Sequence, residues 1–195
     1  PTQINLLMTM RKFDKVVEYV PDDLTITVGS GMLLKDVQKI LADNNQLLPT
    51  NPPYENDATI GGVVATNSSG PHRLRYGTTR DLVLGLRVVQ ASGTIIKAGG
   101  KVVKNVAGYD INKLYIASYG TLGIITEASF KLFPKPEIER TMLLTFSQHS
   151  KAIRVATEIL KSQLLPVFVN FFSTGIPTTE VLDSCLLVGI DGHPE

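Results

Sequence analysis

Residues 49–85 read PTNPPYENDATIGGVVATNSSGPHRLRYGTTRDLVLG, and residues 99–136 read GGKVVKNVAGYDINKLYIASYGTLGIITEASFKLFPKP. In the first, Gly61 and Gly62 follow Thr59 and precede small residues that end in Asn67, Ser68, Ser69 and Gly70. In the second, Gly120-Thr121-Leu122-Gly123 runs straight into Ile124, Ile125 and Thr126. Glycine costs folding entropy, so clusters of it mark unusual bends or a close approach to the backbone. Two clusters rich in hydroxyls, flanked by Arg75, Arg80 and Lys104, predict a site that wraps a large phosphorylated ligand.

Regular elements are expected on either side of these stretches. Ile4 to Met8 is an apolar run compatible with a strand. The β-branched segments Val16–Val20 and Leu24–Val28, split by Pro21-Asp22-Asp23, predict a hairpin. Leu33, Leu34, Val37, Ile40 and Leu41 recur at helical spacing, and that helix should stop near Asn44-Asn45. Residues 49–81 have no sustained period and read as a ligand-binding loop. Leu82–Gln90 and Thr94–Ala98 predict a hairpin about Ala91-Ser92-Gly93. Asp110 is a cap candidate for a short helix ending near Ile116, and Gly123–Phe133 reads as a long strand.

Pro134 and Pro136 mark a boundary between a first domain, 1–136, and a second, 137–195. In the second, strands are expected at Thr141–Phe146, Val167–Phe172 and Leu186–Ile190. A helix over Lys151–Lys161 should bury Ile153, Val155, Ile159 and Leu160, with Ser147 or Ser150 as its cap.

Bulk properties remove several classes of function. The 195 residues carry a net charge of +1 and are 43% hydrophobic and 19% charged, so neither disorder nor a nucleic-acid surface is indicated. The single cysteine, Cys185, excludes an internal disulfide within this sequence and reads as a buried thiol. His72, His149 and His193 lack metal-ligand spacing, so no metal is expected. No apolar run reaches the ~18 residues of a membrane span, and the cytoplasm is the default location.

Taken in order, Thr59-Ile60-Gly61-Gly62, Ala65–Gly70, Arg75-Tyr76-Gly77 with Asp81, and Gly120–Ile124 resemble the FAD-binding domain of the vanillyl-alcohol oxidase/p-cresol methylhydroxylase superfamily. Within it, Lys104-Asn105-Val106-Ala107-Gly108-Tyr109-Asp110 is similar to the FAD-binding subunit of glycolate oxidase. The resemblance implies an α+β fold, the second FAD subdomain, with a mainly antiparallel sheet flanked by helices and followed by a partial α+β cap domain. It implies FAD contacts at Pro49, Asp57, Ala58, Thr59, Ile60, Gly61 and Gly62. Further contacts fall on Thr66, Asn67, Ser68, Ser69 and Gly70, and on Arg75, Tyr76 and Gly77. Lys104, near the flavin or the diphosphate, and Gly120, Thr121, Gly123, Ile124, Ile125 and Thr126 complete the set. The superfamily's R-G-G-G-T diphosphate loop does not occur in this sequence, so the stretch is expected to be an excerpt that is inactive alone. No catalytic residue is assigned; His72 reads as a general base or as a solvated loop residue.

The activity so implied is FAD-dependent oxidation of a 2-hydroxy acid, glycolate or D-lactate in type, to a 2-oxo acid. Hydride would pass to flavin N5 and electrons onward to a partner. The implied partners are a catalytic flavoprotein subunit and an iron–sulfur subunit, with the inner face of the membrane reached only through them. Two alternatives stay open: a non-catalytic FAD-binding or assembly subunit, and the cell-wall precursor reductase of the same superfamily.

Overall fold

The computed structural model describes residues 7–100, 110–173 and 184–192. It divides into two compact units, Pro1–Ser69 with Thr78–Pro134, and Gly70–Gly77 with Lys135–Glu195.

In the first unit, β1 (Val16–Val20) and β2 (Thr25–Gly29) form the expected hairpin around a single 3-10 turn at Pro21–Asp23. β4 (Val83–Val89) and β5 (Ile95–Gly99) form the second hairpin, and β6 (Ile124–Lys131) lies between the two. The resulting five-stranded sheet has the order β1-β2-β6-β4-β5 and is antiparallel throughout. A short pair, β3 (Gln46–Leu47) with β7 (Phe133–Pro134), stands apart from it.

Alternation sorts the faces of this sheet. Ile26, Val28, Ala128 and Phe130 are buried, with Ile26 opposite Phe130 and Val28 opposite Ala128. The intervening Thr27 and Ser129 meet through their hydroxyls at 2.7 Å, and Arg87 pairs with Glu127 at 2.9 Å. Two helices bury their apolar sides in the same core. These are α1 (Leu34–Ala42), through Leu34, Val37 and Leu41, and α2 (Ile60–Thr66), through Ile60 and Val64.

Residues 49–81, expected to be irregular, contain α2, α3 (Arg73–Tyr76) and the start of α4 (Thr79–Leu82). These helices have 7, 4 and 4 residues, too short to display a helical period. The short helix after Asp110 is α5 (Asn112–Tyr115), but it starts from Ile111, and Asp110 does not cap it. Leu7 and Met8 are exposed and outside any strand; the rest of that expected strand lies outside the described residues.

The second unit contains β8 (Ile138–Phe146), α6 (His149–Lys161), β9 (Phe168–Phe172) and β10 (Ser184–Gly192). Its antiparallel sheet has the order β8-β10-β9. Helix α6 begins after Gln148 with no side-chain cap, so neither Ser147 nor Ser150 plays that part. Its inward stripe is Ala152, Val155, Ala156 and Ile159, packed on Leu186 and Val188. Ile153 and Leu160 flank that stripe and are exposed, contrary to expectation. Cys185 is a buried free thiol. The architecture is α+β with mainly antiparallel sheets, as the sequence implied.

Candidate functional site

Helix α2 is held at both ends by main-chain bonds. At its start, Gly61 N–H donates to Ser30 O at 2.7 Å and Ile60 N–H to Met32 O at 2.9 Å. Thr59 caps the helix, its Oγ1 accepting from Gly62 N–H at 3.2 Å. At its end, Ala117 N–H donates to Val64 O at 3.2 Å and Tyr119 N–H to Ala65 O at 2.8 Å. Ser30 N–H donates in turn to Thr126 O at 2.9 Å, which ties the β2–α1 loop to the start of β6.

These ties leave a depression of about 250 Å³ over the exposed side of α2. Thr59, Gly61, Gly62 and Ala65 line it from the helix, and Tyr119, Gly120, Gly123, Ile124 and Ile125 from the turn and strand β6. Met10 and Ser30 complete the lining, and among the described residues no charged side chain belongs to it.

The two adjacent glycines do different things. A Cβ on Gly61 would sit 2.9 Å from Ser30 Cβ and 3.0 Å from Ser30 O, so Gly61 is required by close packing within the protein. A Cβ on Gly62 would meet only Thr59 Oγ1, at 3.1 Å. Neither has a positive φ; Gly120 does, at 76°, with open space where a Cβ would stand. Gly62 and Gly120 are therefore the positions where the missing side chain leaves room for a ligand.

The other small residues are occupied within the chain. Thr66 Oγ1 donates to Gly62 O at 2.8 Å, and Asn67 Oδ1 accepts from Arg80 N–H at 2.9 Å. Thr79, fully buried, donates its hydroxyl to Ser68 O and its N–H to Ser69 Oγ, both at 2.8 Å. Thr50, beside buried Pro49, lies 3.3 Å from Thr79 Oγ1. The loop 66–70 is thus pinned to α4 by hydroxyls. Asp81 closes the first turn of α4 by accepting from Thr78 N–H at 2.8 Å and Thr78 Oγ1 at 2.7 Å. Those bonds hold its carboxyl below the ordinary carboxylate range. Thr126 is buried with Oγ1 donating to Arg87 O at 3.1 Å, while Thr121 folds back on Ser118 O. Asp57 is an exposed turn residue, Ala58 O accepts from Leu34 N–H, and Ile60 belongs to the core.

Arg75, Tyr76 and Gly77 fall in the second unit. Tyr76 OH donates to Asp191 Oδ2 at 2.7 Å, Arg75 stands 3.7 Å from Asp191 Oδ1, and Arg75 also donates to Leu165 O at 3.1 Å. Burial, reinforced by the Asp191 carboxylate, drives the Tyr76 phenol well above its ordinary pKa. His72 stacks on Phe168 with ring centroids 6.0 Å apart. Lys104 lies outside the described residues, and among those described no group of three metal-ligating side chains occurs.

Sequence reading missed Ser30. It was visible only as the middle of a Gly-Ser-Gly turn, yet it lines the depression and is 1% exposed. Its Oγ, itself closed off from solvent, has no hydrogen-bond partner among the described residues. Among the described residues the hollow has apolar walls and no charged side chain, and it lies open at Gly62 and Gly120, features that fit an uncharged part of a group such as FAD.

Residues 2–99 match the model of the FAD binding domain family, and the chain belongs to that family. It is 36% identical over 190 residues to glycolate oxidase subunit GlcD of Bacillus subtilis, an alignment covering 97% of this chain and 40% of the relative. It is 39% identical over 156 residues to glycolate oxidase subunit GlcE of Escherichia coli, covering 80% and 43%. A D-lactate dehydrogenase of Archaeoglobus fulgidus is 33% identical over 171 residues, covering 88% and 38%. The chain thus spans about two fifths of the length of these relatives. Among solved structures, an alkyldihydroxyacetonephosphate synthase shares the fold with a TM-score of 0.79 at 23% identity, covering 94% of this chain and 38% of that one. No helix among the described residues is long and apolar enough to cross a membrane.

Proposed function

We propose that this chain is part of an FAD-dependent oxidoreductase that converts a 2-hydroxy acid of the glycolate or D-lactate type to the 2-oxo acid. The identity to glycolate oxidase subunit GlcD along nearly the whole chain is the observation that carries this substrate class. The first unit serves as one lobe of the FAD site and the second as the beginning of a substrate or cap domain. Thr59, Gly62, Gly120, Ile124 and Ile125 hold the cofactor along the depression. The loop 66–70, pinned by Thr79, and Lys104 in the glycolate-oxidase-like segment extend that contact. FAD supplies a two-electron acceptor for the substrate's carbinol C–H. The chain's own part is to orient that acceptor and, through an uncharged lining, to keep water from its ring. Electrons leave to a partner subunit, an iron–sulfur protein by resemblance, in a cytoplasmic assembly.

A second reading, an FAD-binding or assembly subunit that supports a catalytic flavoprotein, draws on the likeness to two differently named glycolate oxidase subunits, GlcD and GlcE. Anaerobic addition of glycolate or D-lactate to the complete FAD-loaded protein separates the two. Bleaching of the flavin band supports the catalytic reading. Flavin that bleaches only when a partner flavoprotein is added supports the assembly role, and bleaching solely with unrelated donors would discard the substrate class.

A further inference from the structure

Ser69 and Thr78 belong to the first unit, yet Gly70–Gly77 between them belongs to the second. The chain therefore sends an arm out of one unit and takes it back. Thr79 closes the neck of the arm, its N–H donating to Ser69 Oγ at 2.8 Å. Gly77 turns the chain back at a φ of 85°, a conformation other residues adopt only at a cost.

Within the second unit the arm is docked by side chains. Tyr76 OH donates to Asp191 Oδ2 at 2.7 Å, Arg75 Nη1 donates to Leu165 O at 3.1 Å, and the His72 ring stacks on Phe168. Asp191 is the centre of the docking. Its side chain is 9% exposed, and its carboxylate takes both the Tyr76 hydroxyl and, at 3.7 Å, the Arg75 guanidinium. A carboxylate so buried is costly unless paired, so the arm and Asp191 need each other.

The resemblance places Arg75 and Tyr76 among FAD contacts, but their side chains are engaged on Asp191 and Leu165. Their route to a cofactor is through the chain. The loop 66–70 runs directly into the arm, and its Asn67 and Ser68 N–H groups donate to Val64 O and Val63 O at the end of α2. Release of the arm would turn ordered residues into free chain attached to Ser69, with only the loop's own bonds, chiefly to α4, left to hold it.

We propose that Arg75, Tyr76 and Asp191 are positioning residues. By docking the arm they keep the loop 66–70 in the form that receives the cofactor, acting through the loop rather than by contact with the cofactor. The proposal rests on the FAD reading.

The test uses the complete protein, first flavin-free for amide exchange and then titrated with FAD. Tyr76→Phe and Asp191→Ala should each speed exchange of the Asn67 and Ser68 amides by about 10- to 100-fold, the worth of one hydrogen bond to a charged group. Both should weaken FAD binding. Asp191→Asn, which keeps an acceptor for Tyr76, should fall between Asp191→Ala and wild type. Val188→Ala opens a cavity in the second unit's core, on the α6 side of the sheet, and should leave exchange at Asn67 and Ser68 as in wild type. Should Asp191→Ala fail to fold, Tyr76→Phe carries the test alone. Wild-type exchange at both amides in Tyr76→Phe overturns the proposal, as does equal acceleration in Val188→Ala, which would reduce the effect to general stability. Weaker FAD binding without faster exchange makes Tyr76 a direct contact, and faster exchange at wild-type FAD affinity removes the loop from cofactor binding; either result overturns it too. A wild-type protein that takes up no FAD overturns the FAD reading itself, while the exchange rates still decide whether the arm orders the loop.

Discussion

Replacing Gly61 and Gly62 one at a time by alanine tests how the site is built, because the structure gives the neighbours opposite roles. The Gly61→Ala methyl would stand 2.9 Å from Ser30 Cβ and 3.0 Å from Ser30 O. That oxygen cannot retreat cheaply, since it accepts the 2.7 Å bond from Gly61 itself and its residue is tied to Thr126 O. Overpacking of this kind costs roughly 1–3 kcal/mol, against a gain of about 0.5–1 kcal/mol for alanine over glycine within a helix. The net expectation is a loss of up to about 2.5 kcal/mol, or roughly 2–4 °C of melting temperature per kcal/mol in a chain of this size.

The Gly62→Ala methyl meets only Thr59 Oγ1, a rotatable hydroxyl, at 3.1 Å. The helical gain and a weakened cap nearly cancel, so the flavin-free protein should melt within about 0.5 kcal/mol of wild type. The same methyl enters the depression, and FAD affinity should fall. Thermal melting of flavin-free protein together with flavin titration reads both effects. A Gly61→Ala protein more stable than wild type, or a Gly62→Ala protein with full FAD affinity, would refute the reasoning.

Three other outcomes are expected. Thr79→Val removes the hydroxyl that donates to Ser68 O in a fully buried position, and should cost about 1–3 kcal/mol and speed amide exchange across 66–70. The Asp81 carboxyl is depressed by its bonds to Thr78, so its stabilisation is present above the ordinary carboxylate pKa and lost as pH falls through the depressed one. The melting gap between wild type and Asp81→Ala should therefore be widest near neutrality and close in acid. For Tyr76 the sign reverses: its phenol is raised, so its contribution is complete below the ordinary tyrosine pKa of about 10 and declines above it. Tyr76→Phe should accordingly melt lower than wild type at neutral pH, with the gap narrowing in alkali.

Strands and the first helix were legible because their signals are local. The β-branched run Leu24–Val28 after the Pro21-Asp22-Asp23 turn, and the apolar spacing of Leu34, Val37 and Leu41, are signals held within one element. Helices α2, α3 and α4 were not legible, since four to seven residues complete at most two turns. In the site, the glycines were visible as residues lacking Cβ, but the direction each faces depends on a loop some thirty positions earlier in the chain. Ser30 carries no mark beyond its place in a Gly-Ser-Gly turn, because burial is a property of the packed fold. Likewise, Arg75 and Tyr76 carry no hint of Asp191, which lies 115 positions after Tyr76.

The depression owes its shape to the main chain more than to side chains. Bonds from Gly61 to Ser30 and from Ala117 and Tyr119 to Val64 and Ala65 set the spacing of its walls, and Ser30 N–H to Thr126 O sets its floor against the sheet. Each is a backbone bond, and the one at Gly61 forms only because no Cβ stands there. A ligand entering such a hollow orders few rotamers, so little of its contact energy is lost to entropy. The lining side chains are then free to set which ring fits, at little cost to the frame. Substitutions at Ile124 or Tyr119 should accordingly change ligand affinity more than stability, whereas a proline at Gly61, which removes the N–H donor to Ser30 O, should do the reverse and unseat α2. Melting and flavin titration of Tyr119→Leu and Gly61→Pro, measured side by side, check that division. Equal losses of stability in the two would place the frame in the side chains instead.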